Sequence, residues 1–184
     1  NMKKVLIISG HTNTESDSMA NKQILNELQT RLLPEAEYDI LDRLYPDYRI
    51  DVEAEQKKLV EADIIVLQYP VFWYGWTSLM QKWIEDVFQH GFSHGSKGKA
   101  LVGKKLFLSF TTGAPEEAYQ NGKVDIEDLI KPAVGMAALT GLDLAGYVYT
   151  CGVSYGMRQE AGEEILRKSV AHAEKLAVLV KAEE

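Results

Sequence analysis

One cysteine, Cys151, is the whole thiol complement of the 184-residue chain. No intrachain disulfide can form, and no multi-cysteine zinc site; the usage fits a reducing compartment, so a cytoplasmic location is expected. Long apolar runs are missing too. None approaches the ~18 residues of a membrane span, and the longest, near residues 5–8 and 64–67, are strand-sized. A secretory leader is not expected, because the apolar stretch after Lys3 and Lys4 stops at Gly10. Asn1, ahead of Met2, reads as a remnant of an expression tag. Basic charge is short: 20 Lys and Arg against 27 Asp and Glu leave a net charge of −7. That excludes coating nucleic acid, which needs a basic face. A single anion is not excluded, since backbone amides at a helix start can hold it. Repeats, low-complexity stretches and linkers are also absent. One domain over residues 2–184 is the expectation, large enough to bury roughly 70% of its unfolded surface without a metal or disulfide staple.

Short apolar runs alternate with helical spacing from end to end. Residues 4–9 read as a buried strand, and residues 10–17 as a polar loop. Ile24, Leu25, Leu28 and Leu32 follow at helical spacing. Residues 38–41 form a second strand, residues 52–62 a helix with Glu53, Glu55 and Lys57 facing solvent, and residues 63–68 the clearest strand. Leu79, Trp83, Ile84, Val87 and Phe88 mark an amphipathic helix. Residues 105–111 and 144–150 are the fourth and fifth strands. Between them residues 126–139 are helical, with Pro132 expected to kink or split the helix. Residues 158–180 form a long terminal helix with Leu166, Ala173, Leu176 and Val180 on one stripe. Strands separated by helices need crossover connections, so the sheet should be parallel and covered on both faces. Five strands suit an α/β three-layer sandwich of flavodoxin-like order 2-1-3-4-5. The irregular stretch 91–103 is expected to be functional or mobile.

Ligands of such sheets bind beyond the carboxyl ends of the strands. That rule selects the loops after strands 1, 3 and 4. The first, residues 10–21, carries His11 and four hydroxyls just before a helix. Read from its residues alone it is either a phosphate site or a loop in which Asp17 or Ser18 simply caps the helix. It is not a Walker motif. The second, residues 70–76, holds Phe72, Trp73, Tyr74 and Trp76, more aromatics than core packing requires and a suitable wall for a flat ring. The third, Thr111-Thr112-Gly113-Ala114, lets backbone approach a ligand at Gly113, or is an ordinary glycine turn. A planar ring bearing a phosphate would satisfy all three loops, and flavin mononucleotide (FMN) is the simplest such molecule.

An ordered set of short stretches carries a family resemblance. They are His11 with residues 18–22; residues 44–48 with Ile50-Asp51 and Glu55-Gln56; Ala62-Asp63 leading to Gln68-Tyr69-Pro70; Trp73-Tyr74; Trp83-Ile84; Val87-Phe88 with His90-Gly91; and Thr111-Thr112-Gly113. In these the chain resembles the flavodoxin-fold NAD(P)H dehydrogenase (quinone) family. It is most similar to the bacterial branch of flavoprotein ancillary subunits of glutathione-gated potassium efflux systems. The resemblance implies that His11, Ser18, Met19, Ala20 and Asn21 hold the flavin phosphate. The loop is one residue longer than in that branch, which brings in Ser16 beside or in place of Ser18. Pro70, Val71, Phe72, Trp73 and Tyr74, with Thr111, Thr112, Gly113 and Ala114, would flank the ring. Tyr119 falls where larger members carry a tyrosine in the hydride-transfer site, and Tyr74 is the second catalytic candidate. Those members have a histidine a few residues further on; this chain has Lys123-Val124-Asp125. The missing C-terminal extension favours FMN over FAD.

The resemblance therefore implies an NAD(P)H:quinone oxidoreductase, with NADH or NADPH as hydride donor, a quinone or similar acceptor, and ping-pong kinetics. One alternative is a regulatory partner of a membrane potassium transporter, peripheral at the inner membrane through that partner. Another is a flavodoxin-like electron carrier, against which the first loop lacks the Thr-x-Thr-Gly-x-Thr pattern. A homodimer is expected to bury an exposed patch of Phe72, Trp73, Trp76 and Phe92. No metal is expected: His90 and His94 are four apart but lack a third ligand. Phe92 and His94 read instead as a substrate-pocket wall. Lys97, Lys99, Lys104 and Lys105 form a basic cluster that is solvated or meets nicotinamide-cofactor phosphates. Asp47 and Asp51 are spaced like paired carboxylates but have no sugar cleft to serve.

Overall fold

Successive strand residues point to opposite faces of the sheet, and the three central strands are buried nearly throughout because both faces are covered. The computed structural model describes residues 2–184; Asn1, with the tag reading placed on it, lies outside them. The strands are β1 (Val5–Ser9), β2 (Glu37–Ile40), β3 (Ile64–Pro70), β4 (Lys105–Thr111) and β5 (Asp143–Thr150). They pair in parallel in the order β2-β1-β3-β4-β5. The expected 2-1-3-4-5 sheet is the one formed. β5 slips one residue against β4 between Leu106 and Phe107.

The helices are α1 (Ala20–Glu27), α2 (Leu41–Leu44), α3 (Val52–Glu61), α4 (Ser78–Val87), α5 (Ile126–Leu129), α6 (Lys131–Thr140) and α7 (Arg158–Lys181). On one face Ile8, Ile65, Leu67 and Phe110 pack with Leu59, Met80, Trp83 and Ala137. On the other, Ile7, Val66, Phe107 and Val148 meet Ile24, Leu28, Ala173 and Leu176. Proline splits the predicted 126–139 helix, as one of the two expected outcomes: α6 starts at Lys131, with Pro132 in its first turn, where a missing N–H costs nothing. Among the described residues no helix is long and apolar enough to cross a membrane.

Two expectations about which residues face where are corrected. Ile165, not Leu166, joins Ala173, Leu176 and Val180 on the buried stripe of α7, and Leu166 is exposed. The helix is distorted at Ala161, just ahead of the stripe. Glu55 is not solvent-facing but 1% exposed. Its carboxylate accepts from Tyr45 Oη (2.8 Å), Trp83 Nε1 (2.7 Å) and Lys58 Nζ (2.9 Å). A buried carboxylate is tolerable only when its lone pairs are met in this way. Residues 91–103 form a compact hydrogen-bonded loop. The Gly91 amide donates to His94, the Ala100 amide donates to Phe92, and Ser93 is buried. A Cβ on Gly98 would lie 1.9 Å from the His94 carbonyl oxygen, so only glycine fits there.

Candidate functional site

The carboxyl ends of the sheet open on a cleft of about 310 Å³. His11 and residues 17–21, 70–72, 111–113 and 153–156 line it. Two other hollows, of about 380 and 1010 Å³, lie at the amino end of β1 and along β5 and α7. Neither sits where a parallel sheet presents loops and a helix start to one ligand.

One end of the cleft is rich in donors. α1 begins at Ala20 after Met19, which gives no side-chain cap. The amides of Met19, Ala20 and Asn21 have no acceptor among the described residues, as expected of a first helical turn. Ser18 Oγ accepts from the Lys22 amide at 3.1 Å, which leaves its own proton free. His11 is buried, and its Nδ1 accepts from the Asn13 amide at 2.9 Å. Burial lowers the His11 pKa, so the ring is neutral near pH 7 with its proton on Nε2. The loop is pinned from outside: the Thr14 amide and hydroxyl both donate to Asp42, at 2.7 and 3.0 Å. Unpaired amides, a hydroxyl and an imidazole N–H make a donor set suited to a phosphate monoester. Asp17 adds a carboxylate to the cleft wall. Ser16 is exposed and outside the cleft, its amide bound to Asn13 Oδ1 at 3.2 Å.

The aromatic loop forms the opposite end. Trp73 and Tyr74 both have positive φ, 49° and 67°, and the Gly75 amide closes the turn onto Phe72 O at 3.2 Å. Such a turn normally takes Asn-Gly. Two bulky residues held there cost of order 1–3 kcal/mol each, which points to a site rather than to packing. The strain holds Trp73 out at 95% exposure, with Tyr74 also exposed. Phe72, also exposed, meets the His11 ring edge-on with centroids 5.9 Å apart. Trp76 packs on Tyr69 at 4.8 Å, and both Trp76 and Phe92 rest against the core. The expected four-residue patch is therefore Phe72, Trp73 and Tyr74.

Past β4, the Thr112 hydroxyl donates to the Ala114 carbonyl at 2.8 Å, and Gly113 offers bare backbone to the cleft. Ala114 and Tyr119 lie outside the cleft wall, as do Trp73 and Tyr74. Tyr119 is buried among core residues at the end of the turn Glu116–Tyr119. Burial raises its pKa, so the phenol keeps its proton at neutral pH. Residues 153–156, which follow β5, escaped the sequence reading although they form one wall of the cleft. In the sequence they carry only two glycines, Gly152 and Gly156, around Val153, Ser154 and Tyr155, too little to single out the loop.

Other candidates fall away by position. Lys105 starts β4 at the end of the sheet remote from the cleft and pairs with Asp143 at 2.5 Å. Lys104 donates to the carbonyls of Val60 and Ala62. Neither can reach a nicotinamide phosphate in the cleft. The His90 and His94 rings are 5.5 Å apart, and no group of three or more metal-ligating side chains occurs among the described residues.

Residues 3–176 match the family described as having a flavodoxin-like fold. The glutathione-regulated potassium-efflux system ancillary protein KefF of Enterobacter sp. (strain 638) is 39% identical over 139 residues, 75% of this chain and 77% of that protein. An uncharacterized NAD(P)H oxidoreductase, YrkL, of Bacillus subtilis (strain 168) is 39% identical over 134 residues, 70% of this chain and 74% of its own. Among solved structures, general stress protein 14 of Treponema denticola in complex with FMN superposes with a TM-score of 0.84. It is 27% identical, with 96% of this chain and 99% of that one covered.

Proposed function

The chain belongs to the flavodoxin-like fold family, and from that premise we propose that it is an FMN-dependent NAD(P)H:quinone oxidoreductase. The observation that carries the reading is the convergence of free α1 amides and His11 Nε2 on one cleft that Phe72 walls. The FMN complex of the Treponema relative and the NAD(P)H oxidoreductase from Bacillus support it. FMN is preferred to FAD because the Treponema relative is in complex with FMN. Bound FMN would supply hydride acceptance from NADH or NADPH and two-electron delivery to a quinone.

The residues then divide the work. His11, Ser18 and the Met19, Ala20 and Asn21 amides bind the phosphate. Pro70, Val71 and Phe72, with the Thr111 backbone, Thr112 and Gly113, hold the ring edge. Trp73, Tyr74 and Ala114 border the open side, where flat substrates enter. Ser16, on the outer surface, orders the loop through its amide. Nicotinamide and quinone must each lie on the same ring face, so they take turns and the kinetics are ping-pong. Tyr119, buried outside the cleft, would act as a donor only if its protonated phenol reached the ring edge when flavin is bound. Losing one preorganised donor can cost ~10²-fold. The buried, off-axis position of Tyr119 and the absence of a histidine partner at residues 123–125 reduce that to ~10-fold, or about 1.4 kcal/mol. Stopped-flow reduction and steady-state quinone turnover of Tyr119→Phe measure this. Unchanged rates in both would remove Tyr119, and intersecting double-reciprocal plots would remove the ping-pong order.

Assembly and location belong to the same reading. Phe72, Trp73 and Tyr74 form an exposed apolar knob that water solvates poorly. A two-fold homodimer covering it is expected, and sedimentation of the flavin-loaded protein as a monomer at micromolar concentration would contradict that. The single domain, residues 2–184, works in the cytoplasm, where NAD(P)H is available and Cys151 stays reduced. The similarity to the potassium-efflux ancillary protein favours a second reading, in which the protein also docks on a membrane transporter. Co-purification with a potassium-efflux channel tests that reading.

A further inference from the structure

Beneath the cleft, six polar side chains form one continuous hydrogen-bonded chain across the sheet. Thr150 Oγ1 meets His172 Nδ1 at 2.8 Å, and His172 Nε2 meets Ser109 Oγ at 2.7 Å. Ser109 Oγ donates to Gln68 Oε1. Gln68 Nε2 donates to Asn21 Oδ1 at 2.7 Å, and Asn21 Nδ2 donates to Thr111 Oγ1 at 2.9 Å. Ser109, Gln68, His172, Asn21 and Thr111 are all buried. Thr150 lines the outer groove along β5 and α7, whereas Asn21 and Thr111 line the cleft.

Each member has a fixed number of protons, so the links constrain one another. The Ser109 proton is committed to Gln68. The contact to His172 Nε2 must then be made by a proton on that nitrogen. A neutral ring with its proton on Nε2 has a bare Nδ1, which accepts from Thr150. Every donor therefore points the same way, from Thr150 toward Thr111. At the far end Thr111 Oγ1 accepts from Asn21, and its own proton has no acceptor among the described residues. The opposite polarity is also complete: both amides turn over, the histidine proton moves to Nδ1, and Thr111 spends its proton on Asn21. The two states differ at the cleft, where Thr111 offers a proton in the first and a lone pair in the second.

We infer that His172, buried on α7 and outside the cleft, is a positioning residue whose Nε2–H tautomer turns the Thr111 hydroxyl proton toward an anionic ligand group at the start of α1. For its ligand this rests on the flavin phosphate reading above; its geometry does not depend on that reading. Burial, with the Lys175 charge nearby, lowers the His172 pKa to about 3, so the ring is neutral at working pH and its Nδ1 can accept. An anion beside the unpaired α1 amides favours the donating polarity, because a lone pair aimed at it would be repelled. Neutral links in a buried chain also polarise one another in one direction.

The test starts with the unmodified protein. ¹⁵N-resolved imidazole spectra should show His172 as the neutral Nε2–H tautomer, both alone and with inorganic phosphate added. The Nδ1–H tautomer in the presence of phosphate, or a charged ring, overturns the inference. Binding is the second arm. Ser109→Ala cuts the chain, and the FMN dissociation constant should rise about tenfold while that of riboflavin holds steady. Ser109→Thr keeps the hydroxyl and should keep the discrimination. An equal rise for both flavins, or no change in their ratio, shows that the chain only packs the sheet. If the wild-type protein binds neither flavin, the flavin reading falls, and the tautomer with inorganic phosphate still decides the inference.

Discussion

Riboflavin should bind at least ~100-fold more weakly than FMN, a difference of about 2.7 kcal/mol. The two ligands share the ring and the ribityl chain and differ only in the phosphate. The Met19, Ala20 and Asn21 amides are donors without acceptors among the described residues, and His11 lines the same cleft. A charge-assisted hydrogen bond contributes about 1.5–3 kcal/mol, so two such bonds suffice. The helix start adds its partial positive charge. Fluorescence-quenching titration of the apoprotein with each flavin reads the ratio directly. Comparable affinities would leave the donor cluster without its ligand and end the phosphate assignment.

Glu55→Ala should lower folding stability by about 3–5 kcal/mol, the cost of breaking a buried charge pair from one side. Lys58 would lose one of its two carboxylates, and the Tyr45 hydroxyl and Trp83 Nε1 would be left buried without acceptors. Trp83 is fully buried under the sheet, so the damage lies in the core. Urea unfolding measures it, and a loss under about 1 kcal/mol would mean the network carries no weight.

The same network gives the fold a pH dependence of definite sign. Asp39 is buried, its Oδ1 held by Lys58 at 2.7 Å and its Oδ2 without a donor. Burial and the neighbouring Glu55 raise the Asp39 pKa from 3.8 to about 8, the nearby Lys58 opposing. Between those values the folded state holds a proton that the unfolded state releases. Stability therefore falls as pH rises through that window, and the loss is complete above about 8. Glu55, held below its ordinary pKa by these donors, changes stability only at lower pH. Replacing Asp39 with Asn should flatten the decline in urea midpoint between about pH 5 and about pH 8. A variant whose decline matches the wild type would place the titrating group elsewhere.

Much of the site was readable because strand ends and loop composition are local. Residues 5–8 and 64–67 are short, largely β-branched apolar runs, and Leu106, Phe107, Leu108 and Phe110 mark the fourth strand. Their parallel pairing follows from the helices between them. The loops after strands 1, 3 and 4 then fall at one edge by topology alone, and His11, Asn21, Phe72, Thr111 and Gly113 do line one cleft. The wall from residues 153–156 was not legible, because an outer strand's loop reaches the cleft only through the slipped register and the turn that precedes α7.

From the sequence by itself came the order of the elements, the parallel pairing of the strands and the edge where a ligand would sit. All of these follow from hydrophobic spacing and from chain connectivity. Tertiary structure alone decided the fate of the polar residues. Glu55 sits among Glu53, Lys57 and Lys58 and has the spacing of a solvated face, yet its partners Tyr45 and Trp83 draw it inside. His172 lies on a largely polar helix, yet Ser109 and Thr150 receive it under the sheet. Trp73 and Tyr74 have a core-like composition, yet a left-handed turn holds both outward. Apolar burial is additive and needs no particular partner, so it leaves a periodic trace in the chain. A buried polar group depends on donors and acceptors brought from distant segments, and those meet only once the sheet has closed.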